Sequence, residues 1–249
     1  MNVSIPTPLT GLAAFGAAML LAGTAAAATV SIGTVTGSWT AATGGANVQG
    51  LGTDTVSWGT DVGNGQSSYN FAGIAPSGPH DAGTVFDLGT FTHSNFAIGS
   101  GTSISAAQLE LTIGATFAKG AASTAKTITA IFDFEHLETT NAAPVCADNG
   151  ANGVGVNADG CADLVTLSGH AAASQTVTLG GKLYLLEITG LTVDGVPVSE
   201  FWTAENAASA AILQAQLTEI GAIPLPASAL LLLGGIGGIG FAARRRKAA

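Results

Sequence analysis

Between residues 29 and 222 apolar side chains recur at every second position, and that period limits what the chain can fold into. Leu109, Leu111 and Ile113 alternate with Gln108, Glu110 and Thr112, while Ile128, Ala130, Phe132 and Phe134 alternate with Thr127, Thr129, Ile131, Asp133 and Glu135. A two-residue period sends one set of side chains to a buried face and the other to the opposite face, which a strand does and a helix does not. Val30, Ile32, Thr34 and Thr36 lead in the same way to Trp39. Further strands fit Val85–Phe91, Leu164–Leu167, Thr176–Leu179, Lys182–Thr189 and Ile212–Ile220, and only Ser199–Ala211 has weak helical character. Clusters of Gly, Asn and Asp punctuate the runs, as turn formers do. The spacing predicts an all-β domain, a single β-sandwich or jelly roll. No period of 20–50 residues is visible, which excludes a solenoid.

Charge divides the chain into separate objects. Only 9% of its 249 residues are charged and the formal charge is −9, against an average of about 25% charged. Four of the seven basic residues are Arg244, Arg245, Arg246 and Lys247, whereas all sixteen acids lie between Asp54 and Glu219. The body therefore sets three lysines against sixteen carboxylates and has no arginine. Such a body has no basic stripe to neutralise phosphates, which argues against nucleic acid as a partner. The solvent-facing positions of its strands are mostly Thr, Ser, Gly and Asn, so its sheet edges lack charge against pairing and self-association is an open possibility.

The two ends read as addresses. Residues 1–28 hold an apolar run from about Leu9 to Leu21 followed by Ala25-Ala26-Ala27-Ala28, the pattern of a signal peptide with a small-residue cleavage site. The segment before it lacks the usual Lys or Arg. At the other end, residues 223–249 begin with Ile223-Pro224-Leu225-Pro226-Ala227, continue as an uncharged run to Ala243 and stop at the arginines. That run, as a transmembrane helix, reaches about 26 Å, just enough to cross a bilayer, and the basic cluster would hold its end in the cytoplasm. Within it Gly235-Ile236-Gly237-Gly238-Ile239-Gly240 matches the dinucleotide fingerprint, but without a preceding strand or a later acid it reads as a Gly-rich membrane helix.

Proline motif, apolar helix and Arg cluster, in that order, resemble the PEP-CTERM sorting signals in their V-P-L-P-A variant, with Ile223 in place of Val. The resemblance implies recognition and removal of the tail by an exosortase, a membrane transpeptidase. It also implies delivery to the surface or extracellular matrix of a Gram-negative bacterium that makes exopolysaccharide. The division expected is then a signal peptide (1–28), an extracellular β-rich domain (29–222) and a sorting tail (223–249).

Chemistry-bearing residues in the body are few. Cys146 and Cys161, fifteen positions apart, are expected as a disulfide in an exported chain; a zinc pair would need further ligands. Asp148, Asn157, Asp159 and Asp163 fall in and just after the same loop and offer oxygen ligands for calcium. Asn157-x-Asp159-Gly160 has the middle of a calcium loop, but Gly155 stands where the first Asp belongs. The plainer reading is a set of turn formers, and no cofactor is otherwise expected. The histidines, His80, His93, His136 and His170, stand far apart in sequence. Glu135-His136-Leu137-Glu138 sets carboxylates beside an imidazole, but Asp133 and Glu135 share a strand face and His136 points the other way, so that group reads as a solvated edge, with an acid/base pair as the alternative. No H-E-x-x-H, G-x-S-x-G or Walker motif occurs. Trp39, Trp58, Tyr69 and Trp202 are expected in the core, with sugar stacking as the alternative.

Thr92-His93-x-Asn95 goes beyond composition. With Ser57-Trp58-Gly59-Thr60 and Gln66–Gly73 upstream and Glu138-Thr139-Thr140-Asn141 and Cys161–Val165 downstream, it is similar to the THxN and choice-of-anchor domains of PEP-CTERM proteins. That resemblance implies an extracellular β-rich domain without an established enzymatic activity. Physically the motif is expected to be a corner after a strand, its side chains bonding nearby backbone, with a ligand-contact loop as the alternative. The expectation is a non-enzymatic surface or matrix protein associated with exopolysaccharide. The alternative is a secreted carbohydrate-active enzyme on the same scaffold, since fold does not decide function.

Overall fold

The computed structural model describes residues 26–172 and 175–222. The signal segment, the Ile223–Ala227 motif and the Arg244–Arg246 cluster lie outside the described residues. Thirteen strands follow one another: β1 (Ala28–Gly44), β2 (Thr55–Trp58), β3 (Ser67–Gly73), β4 (Ser77–Asp81), β5 (Val85–Asn95), β6 (Ile104–Lys119), β7 (Ala122–Leu137), β8 (Asp163–Ala172), β9 (Gln175–Leu179), β10 (Lys182–Val193), β11 (Val196–Val198), β12 (Glu200–Thr203) and β13 (Ala207–Ala222). A single 3₁₀ turn spans Gly155–Asn157.

The strands form two antiparallel sheets, consistent with a β-sandwich. One has the order β12-β8-β7-β6-β1-β4; the other runs β11-β10-β13-β5-β3-β2, with β9 also paired to β10. Inward residues of both make one core. Aromatic rings bridge the sheets: Trp39 of β1 lies 5.2 Å from Tyr69 of β3 and 5.7 Å from Phe91 of β5, and Phe91 lies 4.7 Å from Phe134 of β7. The alternating runs Leu109–Ile113 and Ile128–Phe134 lie within one ladder of fourteen paired positions without a register shift, from Ala106↔Glu135 to Lys119↔Ala122.

Two local expectations needed correction. The weak helix over Ser199–Ala211 is instead β12 and the start of β13. Its alanines favour helix in isolation, but β13 pairs with β10 on one side and β5 on the other, and Ala211, Leu213, Ala215 and Leu217 all face the core. In β1 the alternation does not run straight from Val30 to Thr36. A bulge between Ile32 and Val35 slips the phase by one, so that Val35 and Trp39 turn inward and Thr34 and Thr36 outward.

The sheets meet closely at Gly73. A Cβ placed there would collide with the backbone carbonyl of Val35 across the sandwich. Gly73→Ala is therefore expected to destabilise the domain by roughly 1–3 kcal/mol through overpacking. Gly114→Ala, where the nearest atom would be an ordinary 3.6 Å away, is the control, and equal unfolding midpoints for the two variants would contradict this close approach.

Candidate functional site

One end of the sandwich gathers most of the buried polar side chains. The register explains how. Asp163 opens β8, which lies between β7 and β12; its neighbours there are Leu137↔Leu164 and His136↔Val165 on one side and Thr203↔Asp163 on the other. Glu138 follows the last residue of β7 and Glu205 comes two residues after the end of β12, so both acids emerge beside Asp163. Across the core β5 ends in His93 and Asn95, with Tyr69 of β3 paired to His93.

The inward phase of each strand carries the polar residue into the interior. On β7 Phe132, Phe134 and His136 face in while Asp133 and Glu135 are exposed. The two carboxylates are solvated as their phase requires, but His136 is buried rather than part of a solvated edge, with its side chain fully covered. On β5 Phe91, His93 and Asn95 face in and Thr92 faces away. The Thr92-His93-x-Asn95 segment thus completes a strand instead of forming the expected corner, because β3 pairs with it as far as Ser94 and β13 as far as Asn95.

The hydrogen bonds of this cluster are incomplete. Tyr69 Oη lies 2.7 Å from His136 Nδ1. Asn95 Nδ2 donates to the Thr203 carbonyl at 3.1 Å, Thr139 N–H donates to Asp163 Oδ1 at 2.8 Å, and Asn141 Nδ2 donates to Glu205 Oε2 at 2.8 Å. Yet His136 Nε2, Glu138 Oε2, Asp163 Oδ2, Glu205 Oε1 and both ring nitrogens of His93 are buried without a hydrogen-bond partner. His136 Nε2 stands 3.6 Å from Glu138 Oε2 and 4.0 Å from Asp163 Oδ2. The rings of His93 and His136 meet edge to face at 5.2 Å, although the two residues are far apart in sequence.

Burial dominates the electrostatics. It pushes the Asp163 carboxyl up to about 8, with the nearby Glu138 and Glu205 charges adding to the effect. It raises the Glu205 carboxyl as well, against the pull of the Asn141 hydrogen bond. Burial, and after it His136, holds the His93 imidazole well below its usual value, so that ring is neutral. The Tyr69 hydroxyl is pushed well above 10 by burial and then by Asp163 and Glu138, and is neutral too. His136, Glu138 and Asp163 each offer one ligand atom within 4.8 Å of the others, a set able to hold a metal ion.

The four candidate calcium ligands are not brought together. Asn157 Nδ2 donates to both Asp148 oxygens, at 3.0 and 2.9 Å, and Gly150 N–H donates to Asp148 Oδ1 at 2.8 Å. Asn157 Oδ1 accepts the Ala162 N–H at 2.8 Å, so this pair staples its own loop. Asp159 is exposed and Asp163 belongs to the cluster at the strand ends. Cys146 and Cys161 are joined in a disulfide. Trp39, Trp58 and Tyr69 are buried in the core, and Trp202 is half-buried.

Glu205 carries no sequence signal, and Glu138 has only its place two residues after His136. Each lies just past the end of a strand, where period-2 phase no longer tells direction. His136 had a legible signal, its phase with Phe132 and Phe134, but nothing local marked what it would meet.

Residues 222–247 match the model of the PEP-CTERM protein-sorting motif. The motif marks an exported protein, recognised by an exosortase and carried by the membrane-anchored sorting route. No curated protein matches the chain.

Proposed function

We propose that the domain of residues 29–222 is a non-enzymatic cell-surface or matrix protein that associates with exopolysaccharide after its sorting tail is processed. The outward face of the first sheet is the observation that carries this reading. Thr36, Thr112 and Thr129 stand in register across β1, β6 and β7. Beside them Thr40 Oγ1 donates to Gln108 Oε1 at 3.0 Å and Gln108 Nε2 donates to Asp133 Oδ1 at 2.9 Å. A broad face of hydroxyls and amides matches the alternating donors and acceptors of a hydrated polysaccharide. The similarity of the Thr92-His93-x-Asn95 segment to THxN and choice-of-anchor domains supports the same reading.

Deleting residues 223–249 is the test. The truncated protein is expected to leave the surface fraction almost entirely and to co-fractionate no longer with exopolysaccharide, while the full chain does both. Unchanged distribution of protein and polysaccharide would refute the proposal. The half-buried Glu138 and buried Asp163 carboxylates favour a second reading, a carbohydrate-active enzyme working with a carboxylate pair. Release of reducing ends from the polysaccharide by the full chain, and its loss in Glu138→Gln, would turn the choice to that reading.

A further inference from the structure

We propose that His136 Nε2 and one carboxylate oxygen each from Glu138 and Asp163 bind a divalent transition-metal cation, with Zn²⁺ as the representative ion. Three independent observations converge on this site.

The first is the direction of the unpaired atoms. Each of the three residues leaves an atom without a hydrogen bond on the same small volume, and the side chains of His136 and Asp163 are fully buried. Native interiors pair their buried polar atoms, so a shared third party is the economical explanation. Ligand atoms about 2.1 Å from a tetrahedral ion stand about 3.4 Å from one another. The 3.6 Å separation of His136 Nε2 from Glu138 Oε2 is near that value already, and the 4.0 Å to Asp163 Oδ2 needs a movement of a few tenths of an ångström.

The second is charge. Glu138, Asp163 and Glu205 gather three carboxyl groups at this end of the sandwich, and the body contains no arginine. Its three lysines are elsewhere. Lys119 lies over the Tyr184 ring, Lys182 pairs with Glu219, and Lys126 sits at the far end of β7, opposite Ala115. Among the described residues no lysine or arginine is paired with Glu138, Asp163 or Glu205, so a bound cation would be the opposite charge this cluster otherwise lacks.

The third is the support around the imidazole. A ligating histidine carries its second N–H to an acceptor that orients the ring. Tyr69 Oη, 2.7 Å from His136 Nδ1, can fill that place: in the tautomer with the proton on Nδ1 it accepts, and the Nε2 lone pair faces the two carboxylates. Asp163 is fixed likewise, through its Oδ1 and the Thr139 N–H. Entry is by way of Glu138, whose side chain is 22% exposed and lines an open pocket of about 460 Å³ with Ile98, Ser103 and Asn141. One imidazole with two carboxylates suits Zn²⁺ or Mn²⁺ better than the all-oxygen shell of Ca²⁺. Three protein ligands leave one position for water or a sugar hydroxyl.

The full chain, purified without a histidine tag and stripped with chelator, is dialysed against Zn²⁺ and its metal content measured. We expect one Zn²⁺ per chain and a rise in Tm on adding Zn²⁺. Glu138→Gln, partly exposed and so tolerant of replacement, is expected to weaken binding at least tenfold, while Asp133→Asn on the solvent face leaves it unchanged. No retained metal in the parent protein would overturn the site, as would equal affinity in Glu138→Gln. Tighter retention of Ca²⁺ than of Zn²⁺ would overturn the nitrogen–oxygen transition-metal assignment.

Discussion

Trp39→Ala is expected to destabilise the domain by about 3–5 kcal/mol, the usual range for removing a large buried aromatic. Trp39 is fully buried on β1 and touches rings from both sheets: Tyr69, Phe91 and Phe134 at 5.2, 5.7 and 5.8 Å. Its loss opens a cavity at the seam where the sheets meet, which the pleated backbones on either side cannot collapse to fill. Its indole N–H also donates to the Asp54 carbonyl at 3.0 Å, and its backbone pairs with Gly52 and Thr53. The same substitution removes the indole bond to the loop that leads into β2 and leaves the two backbone bonds in place. Against a typical total of about 5–15 kcal/mol, the variant would be near the limit of folding at growth temperature. Urea unfolding followed by near-UV circular dichroism measures it. Trp202→Ala, at a half-buried position, is expected to cost markedly less; equal losses would show that Trp39 does not hold the seam.

The second large effect is expected from the disulfide. Replacing Cys146 and Cys161 together by alanine should lower stability by about 3 kcal/mol, the loop-closure entropy returned to the unfolded chain for a loop of this size. The bridge joins the two ends of a loop that has only the Gly155–Asn157 turn as regular structure. Without it the loop relies on the Asp148–Asn157 staple and on Thr139 Oγ1, which donates to the Cys161 carbonyl at 2.8 Å. Asp163 begins two residues beyond Cys161, so a slack loop also loosens the first residue of β8. The double variant is expected to unfold at lower denaturant and to hold Zn²⁺ more weakly than the parent. An unchanged unfolding midpoint would show that the loop is held by its hydrogen bonds alone.

Much of this architecture is legible in residue order, and the places where it is not have a common cause. The paired runs at Leu109–Ile113 and Ile128–Phe134 declare both strand and facing direction because their period is uninterrupted. The phase slip after Ile32 is invisible in one sequence, since Thr34 fits either face until the partner strand β6 sets the register. Ala207–Ala211 is ambiguous by propensity, and only two flanking strands make it β. The cluster at His136 is harder still. Its members come from β7, from the residue after β7, from β8 and from the segment after β12, and no spacing links Glu205 to Glu138.

By itself the sequence determined the long alternating strands, the disulfide pairing, the acidic and arginine-free body and the sorting motif of residues 222–247. Each of these rests on local information: a two-residue period, a lone pair of thiols, a count of charges, a contiguous signal. Tertiary structure alone decided that β8 lies between β7 and β12, and with it that two carboxylates face one buried imidazole. Strand order depends on which hydrophobic faces cover one another after long loops close, and loop closure costs nearly the same for many alternatives. A polar residue at a strand end therefore acquires its chemistry from neighbours that only the packed sandwich can choose.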